Sequence, residues 1–189
     1  MVRVRPLSLP EVLEIEPERH GDERGFFSEV WNREALAREG IAIDFVQDNH
    51  SLSAKRGVLR GLHYQAPPFA QAKLVRVTRG SIYDVAVDIR HGSPTFGWWV
   101  GAVVSAEKWN QILVPVGFAH GFVTLERNTE VLYKVSAPYS REHDRAIRFD
   151  DPAIGIEWPV DARKLILSLK DRSAPTLAEA EPAFRFGAG

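Results

Sequence analysis

Between Lys73 and Ser136 the chain is a series of short apolar runs broken by glycine, proline and small polar residues. Lys73 to Arg79 and Ile82 to Ile89 alternate with the period of a strand, and the Gly80-Ser81 pair between them predicts a hairpin turn. Further strands are expected at Trp98 to Val104, Gln111 to Val116, Gly121 to Leu125 and Val131 to Ser136, with Pro115 and Gly117 marking a sharp corner. Short strands at this spacing predict an all-β sandwich or barrel. One segment reads as a helix: Asn32 suits an N-cap, Arg33 to Glu39 are mostly helix formers, and Gly40 suits the position after the end. The tail from Arg172 is rich in Ala, Pro and Glu and is expected to wrap the surface. With no repeat, low-complexity tract or charge block, residues 1–189 read as one domain with peripheral N- and C-terminal segments.

Charge and composition narrow the function. The formal net charge of −1 shows no basic excess, so a nucleic-acid partner is not expected. A few local arginines could still hold a small anionic substrate. Without cysteine, disulfides, thiol catalysis and Cys-ligated zinc are excluded. Met1 to Pro6 lacks the apolar stretch of a signal peptide, and no apolar run reaches membrane-spanning length. The expectation is a cytoplasmic protein with no membrane partner.

Two half-motifs suggest where the chemistry lies. A cupin barrel carries glycine, five residues, then His-x-His and a later glutamate. Here Gly57 and His63 keep that spacing, Gln65 takes the second histidine position, and Phe69 and Ala70 stand where the glutamate would be. The second cupin motif, Pro-x-Gly-x-x-His, is matched by Pro115, Gly117 and His120. Two imidazoles are too few for a catalytic divalent metal, which usually needs at least three protein ligands. The pattern resembles a cupin that has lost its metal and kept its histidines. Strand parity puts Lys73 with Val75 and Val77, Tyr133 with Val131 and Val135, and His63 with Leu59 and Gly61. If those neighbours face the interior, so do Lys73, Tyr133 and His63. Arg60 has the opposite parity and is not placed inside. Taken singly, each residue has an ordinary reading: a hydrogen-bonded histidine, a packing tyrosine, a lysine snorkelling from a strand end, an Asp171 paired on the surface. Their joint pattern carries the functional reading.

Longer strings complete that pattern. Asp22 to Glu29 (DERGFFSE), Gln47 to Ser51 (QDNHS), Gly57 to Gln65 (GVLRGLHYQ), Ser93 to Gly97 (SPTFG), Pro115 to Phe122 (PVGFAHGF), Tyr133-Lys134 and Leu167 to Asp171 (LSLKD) occur in this order. Together they resemble the dTDP-4-dehydrorhamnose 3,5-epimerases over most of the chain. The resemblance implies a double-stranded β-helix, that is, a jelly-roll, cupin-like barrel with one or two short helices. It also implies a homodimer with exchanged N-terminal strands, no metal and no cofactor. By matching positions, His63 is the base, Asp171 its partner, Tyr133 the acid, and Lys73 the group that stabilises the enolate. Arg24, Phe27, Glu29, Gln47, Asn49, Arg60, His120, Tyr139, Asp144 and Lys170 are implied to bind the dTDP-sugar. Arg24 and Glu29 are implied to serve the neighbouring subunit's site. The sequence departs from the family pattern at Lys108-Trp109, at Asp144, where a glutamate is common, and at Phe149, which replaces a tryptophan.

The chemistry suits these residue types. A C4 ketone acidifies C3 and C5, and inversion needs a base on one face of the sugar and an acid on the other. Histidine titrates near neutral pH and a carboxylate fixes its tautomer. A lysine supplies positive charge where the enolate oxygen forms. Arg24 and Arg60 suit a diphosphate, and Phe27 and Tyr139 offer aromatic surface to the base. The alternatives are a mono-epimerase acting at C3 or C5 alone, a non-catalytic nucleotide-sugar-binding barrel, and a metal-dependent cupin oxygenase.

Overall fold

The computed structural model describes residues 2–187. In chain order the elements are β1 (Arg3–Pro6), β2 (Leu13–Glu16), β3 (His20–Asp22), β4 (Gly25–Phe27), α1 (Arg33–Arg38), β5 (Gln47–Ser53), β6 (Leu59–Gln65), β7 (Lys73–Arg79), β8 (Ser81–Asp88) and β9 (Arg90–His91). They continue with β10 (Trp99–Ser105), β11 (Gln111–Val114), β12 (Phe118–Thr124), β13 (Thr129–Val135), β14 (Asp144–Ala146), α2 (Leu169–Arg172) and β15 (Phe184–Arg185). Two antiparallel sheets dominate, one ordered β1-β2-β11-β7-β13-β5 and the other β10-β8-β12-β6-β14. This is the expected all-β jelly roll.

The main core lies between the sheets. Val75, Val77, Ile112 and Val131 project from one, and Ile82, Ala86, Val104 and Phe122 from the other. Each sheet also has a covered outer face. Leu36 and Ile41, from and just after α1, pack on Ile15, Leu74 and Leu113. Ile147, Trp158 and the tail residues Leu177 and Phe184 cover Leu62, Val85 and Val87. Central strands buried on both sides need apolar residues at every position, which explains the unbroken Ile112-Leu113-Val114 run. Residues 177–184 of the tail therefore close the second outer layer.

The expected hairpin at Gly80-Ser81 does not form. β7 pairs with β11 and β13, while β8 pairs with β10 and β12, so the chain crosses from one sheet to the other at Gly80. The corner needs glycine: its φ is +76°, and a Cβ there would lie 2.6 Å from the Thr129 hydroxyl. The Pro115–Gly117 corner does the same between β11 and β12, so β11 stops at Val114. β12 begins at Phe118, three residues before the expected start. The expected Lys73–Arg79 strand keeps its bounds, and the other expected strand ends shift by no more than two residues. In α1 the Asn32 side chain accepts from Ala35 N at 3.0 Å, and Glu39 is the C-cap rather than a helical residue. Among the described residues no helix is long and apolar enough to cross a membrane.

Candidate active site

A cavity of about 360 Å³ opens at the mouth of the barrel. The five-stranded sheet contributes Arg60 and His63 from β6 and His120 from β12. The six-stranded sheet contributes Lys73 from β7, Tyr133 from β13, and Gln47 and Asn49 from β5. Tyr139, Asp144, Lys170 and Asp171 complete the rim and one side.

Parity alone misplaces Arg60. The β6–β12 ladder pairs His63 with His120 but Arg60 with Phe122, so three steps on β6 face two on β12. That bulge reverses the alternation and turns Arg60 and His63 to the same side. It follows that Leu59, paired with Val123, lies on the face opposite His63, contrary to the sequence expectation. Gly61 makes the bulge possible: its φ is +142°, and a Cβ would fall 2.5 Å from the Gly121 Cα.

His63 Nε2 donates to Asp171 Oδ1 at 2.5 Å. A carboxylate can only accept, so the proton sits on Nε2 and leaves Nδ1 as the free basic atom. Asp171 is 3% exposed, and its second oxygen accepts from the Ser168 hydroxyl at 2.7 Å. Burial pushes its carboxyl up, but the hydrogen bonds from His63 and Ser168 outweigh this and hold it below the usual range. Ser168 also caps α2, accepting from Asp171 N at 3.1 Å, so one residue shapes the turn and anchors the acid.

Lys73 is buried, with Nζ donating to the His63 carbonyl at 3.2 Å. Burial lowers its pKa to about 8, while the charges of Asp84 and Asp144 pull the other way. Tyr133 is half-buried. Burial raises its pKa, with Arg60 lowering and Asp144 raising it further, so the phenol keeps its proton at neutral pH. At the rim, Asp144 accepts from Lys170 Nζ at 2.5 Å and from the Tyr139 hydroxyl at 3.3 Å.

Asp84, absent from the expected set, is fully buried and accepts from His120 Nε2 at 2.8 Å. It was visible in principle: one of two carboxylates, with Asp88, in the otherwise apolar Ile82–Ile89 run, both with the parity of Ile82 and Ala86. Gln65, at the second cupin histidine position, spends its amide on loop backbone. Among the described residues no three His, Asp or Glu side chains converge as metal ligands.

The sequence profile of the dTDP-4-dehydrorhamnose 3,5-epimerases matches residues 6–179. The chain belongs to the dTDP-4-dehydrorhamnose 3,5-epimerase family. It is 55% identical over 181 residues to the dTDP-4-dehydrorhamnose 3,5-epimerase of Sinorhizobium fredii, covering 95% of this chain and 92% of that protein. The enzyme of that name from Pseudomonas aeruginosa is 52% identical, covering 93% and 96%. Among solved structures, the dTDP-6-deoxy-D-glucose-3,5-epimerase of Legionella pneumophila, in complex with dTDP-4-keto-L-rhamnose, superposes with a TM-score of 0.95. It is 42% identical, and the match covers 100% of both chains.

Three residues that the epimerase resemblance implied for binding are not at this cavity. Arg24 lies on the exposed β3–β4 hairpin and bonds Asp22 at 2.5 Å. Phe27 is 72% exposed, and with Glu29 it lines a separate groove beside α1. Within one chain the fold does not bring them to His63.

Proposed function

We propose that this protein inverts C3 and C5 of dTDP-4-dehydro-6-deoxy-D-glucose to give dTDP-4-dehydro-L-rhamnose by general acid/base enolisation. The observation that carries this reading is the placement of His63 and Tyr133 on opposite sheets of one cavity. A sugar ring lying between them meets a base on one face and an acid on the other, the arrangement that inversion requires.

His63 Nδ1 takes the proton from C5 or C3. The C–H electron pair forms the C=C bond and the carbonyl pair moves to O4, giving an enolate. The buried Lys73 ammonium faces that developing charge, and burial is where such a group contributes most. Tyr133 delivers its proton to the opposite face of the carbon, and the phenolate and imidazolium then exchange protons with solvent. Asp171 holds the tautomer and offsets the imidazolium charge. Arg60 and Lys170 are cationic partners for the diphosphate, with His120, Gln47, Asn49 and Asp144 holding the rest of the nucleotide sugar. Tyr139 offers its ring to the thymine.

The same reading includes a homodimer in the cytoplasm, in which the Arg24, Phe27 and Glu29 segment of one chain completes the cavity of the other. Its support is their exposure away from their own chain's cavity. The test is product identity by NMR after incubation with dTDP-4-dehydro-6-deoxy-D-glucose. The L-rhamno product supports double inversion. A product changed at one carbon makes the enzyme a mono-epimerase, and an unchanged sugar removes the activity.

A further inference from the structure

The loop carrying Tyr139 is held by three glutamine side chains. Gln71 Nε2 donates to the Ala137 carbonyl at 2.7 Å, and Gln65 Nε2 donates to the Pro138 carbonyl at 3.1 Å. Tyr139 N donates to Gln47 Oε1 at 3.0 Å, and Ser140 N donates to Gln65 Oε1 at 2.7 Å. Every residue from 137 to 140 is thus tethered through its backbone, although the loop lies outside the sheets. Gln65 is 4% exposed, and its second amide hydrogen goes to the Phe69 carbonyl at 2.7 Å. Two carbonyl partners demand its NH2 end and one N–H demands its oxygen, so the amide orientation is fixed and its polar groups are engaged by protein. It sits beside the ligand cavity yet is committed to backbone.

The tethered residue is the unusual one. Tyr139 is 58% exposed at the cavity mouth. An exposed ring on a loose loop would lose much of its stacking energy to ordering on binding, whereas a pre-ordered ring avoids that loss.

We infer that Gln65 and Gln71 are positioning residues for nucleotide recognition: they pre-order the 137–140 loop so that Tyr139 stands ready to stack on the base. This rests on the reading above that Tyr139 meets the base. The reacting groups His63, Lys73 and Tyr133 sit on strands, outside the tethered loop, so loosening it separates binding from chemistry.

The test compares Gln65→Leu, Gln71→Leu, Tyr139→Ala and the Gln65→Leu/Tyr139→Ala double variant. Affinity for dTDP is measured by calorimetry, and KM and kcat for the dTDP-sugar by NMR. Gln65→Leu is expected to raise Kd and KM at least fivefold with kcat within twofold, and to add nothing in the Tyr139→Ala background. A fall in kcat at constant KM, or a full effect of Gln65→Leu without the Tyr139 ring, overturns the inference. If Tyr139→Ala binds dTDP as well as wild type, the base-contact reading falls and takes the inference with it. If Tyr139→Ala weakens binding and Gln65→Leu does not, the tethering role alone falls. Should Gln65→Leu fail to fold, Gln71→Leu decides: weaker dTDP binding that vanishes without the ring supports the inference, and unchanged binding overturns it.

Discussion

Replacing Lys73 with methionine should make the protein more stable and far less active. The substitution keeps the aliphatic stem and removes the ammonium. Burial lowers the Lys73 pKa from 10.5 to about 8 even with Asp84 and Asp144 opposing it. At about 1.4 kcal/mol per pKa unit, holding that charge costs the fold up to about 3.5 kcal/mol. Below pH 8 the lysine is charged in both folded and unfolded chains, and the whole cost is present. Between about 8 and 10.5 the unfolded chain binds more protons than the folded one, so stability rises with pH and the cost disappears. Urea denaturation of wild type and Lys73→Met at pH 7 and pH 10 isolates this, because other titrating groups are common to both. The variant is expected to be more stable by up to about 3.5 kcal/mol at pH 7 and by less than about 1 kcal/mol at pH 10. Its kcat/KM should fall about 10²–10³-fold, the usual loss when a group facing a developing oxyanion is removed. Wild-type kcat/KM should also decline above pH 8 as the ammonium deprotonates. A variant that is less stable at pH 7, or one that turns over at the wild-type rate, refutes the reasoning.

Other outcomes follow from the same geometry. Asp171→Asn should lower kcat about 10²–10⁴-fold in steady-state assays, because an amide can no longer fix the His63 tautomer. The stability that Asp171 contributes is present above the ordinary carboxylate pKa of about 3.9 and is lost as pH falls through its lower folded value. Acid denaturation of the two proteins should therefore converge below that range. Tyr133→Phe should keep His63-dependent hydrogen exchange into the sugar while inversion, read by NMR, falls at least about 100-fold. Gly61→Ala places a Cβ 2.5 Å from the Gly121 Cα and should destabilise by about 2 kcal/mol or more in thermal denaturation, since backbone must move.

The strands from Lys73 to Ser136 were legible because their apolar periodicity is strong and their corners carry glycine or proline. The Gly80 corner shows the limit: a turn signal announces a reversal but does not say which sheet receives the next strand. β5 carries no such signal, since Gln-Asp-Asn-His-Ser has little β propensity. Strand parity placed Lys73 and Tyr133 for the right reason. It reached His63 on a mistaken premise and did not place Arg60 inside, because the bulge at Gly61 leaves no trace in hydrophobic periodicity. Asp84 could have been found as a carboxylate on an interior face. The meeting of Asp171 with His63, 108 residues apart, is a tertiary contact that no local pattern encodes. Arg24, Phe27 and Glu29 mark a different boundary, since their proposed role needs a second chain.

The central claim is that His63 abstracts the protons at C3 and C5. It is tested most directly by incubating wild type and His63→Ala with dTDP-4-dehydro-6-deoxy-D-glucose in deuterated water and following both carbons by NMR. Deuterium at C3 and C5 with wild type, absent with His63→Ala, is the predicted result. Exchange that persists in His63→Ala at the wild-type rate, or none at either carbon with wild type, would contradict the account.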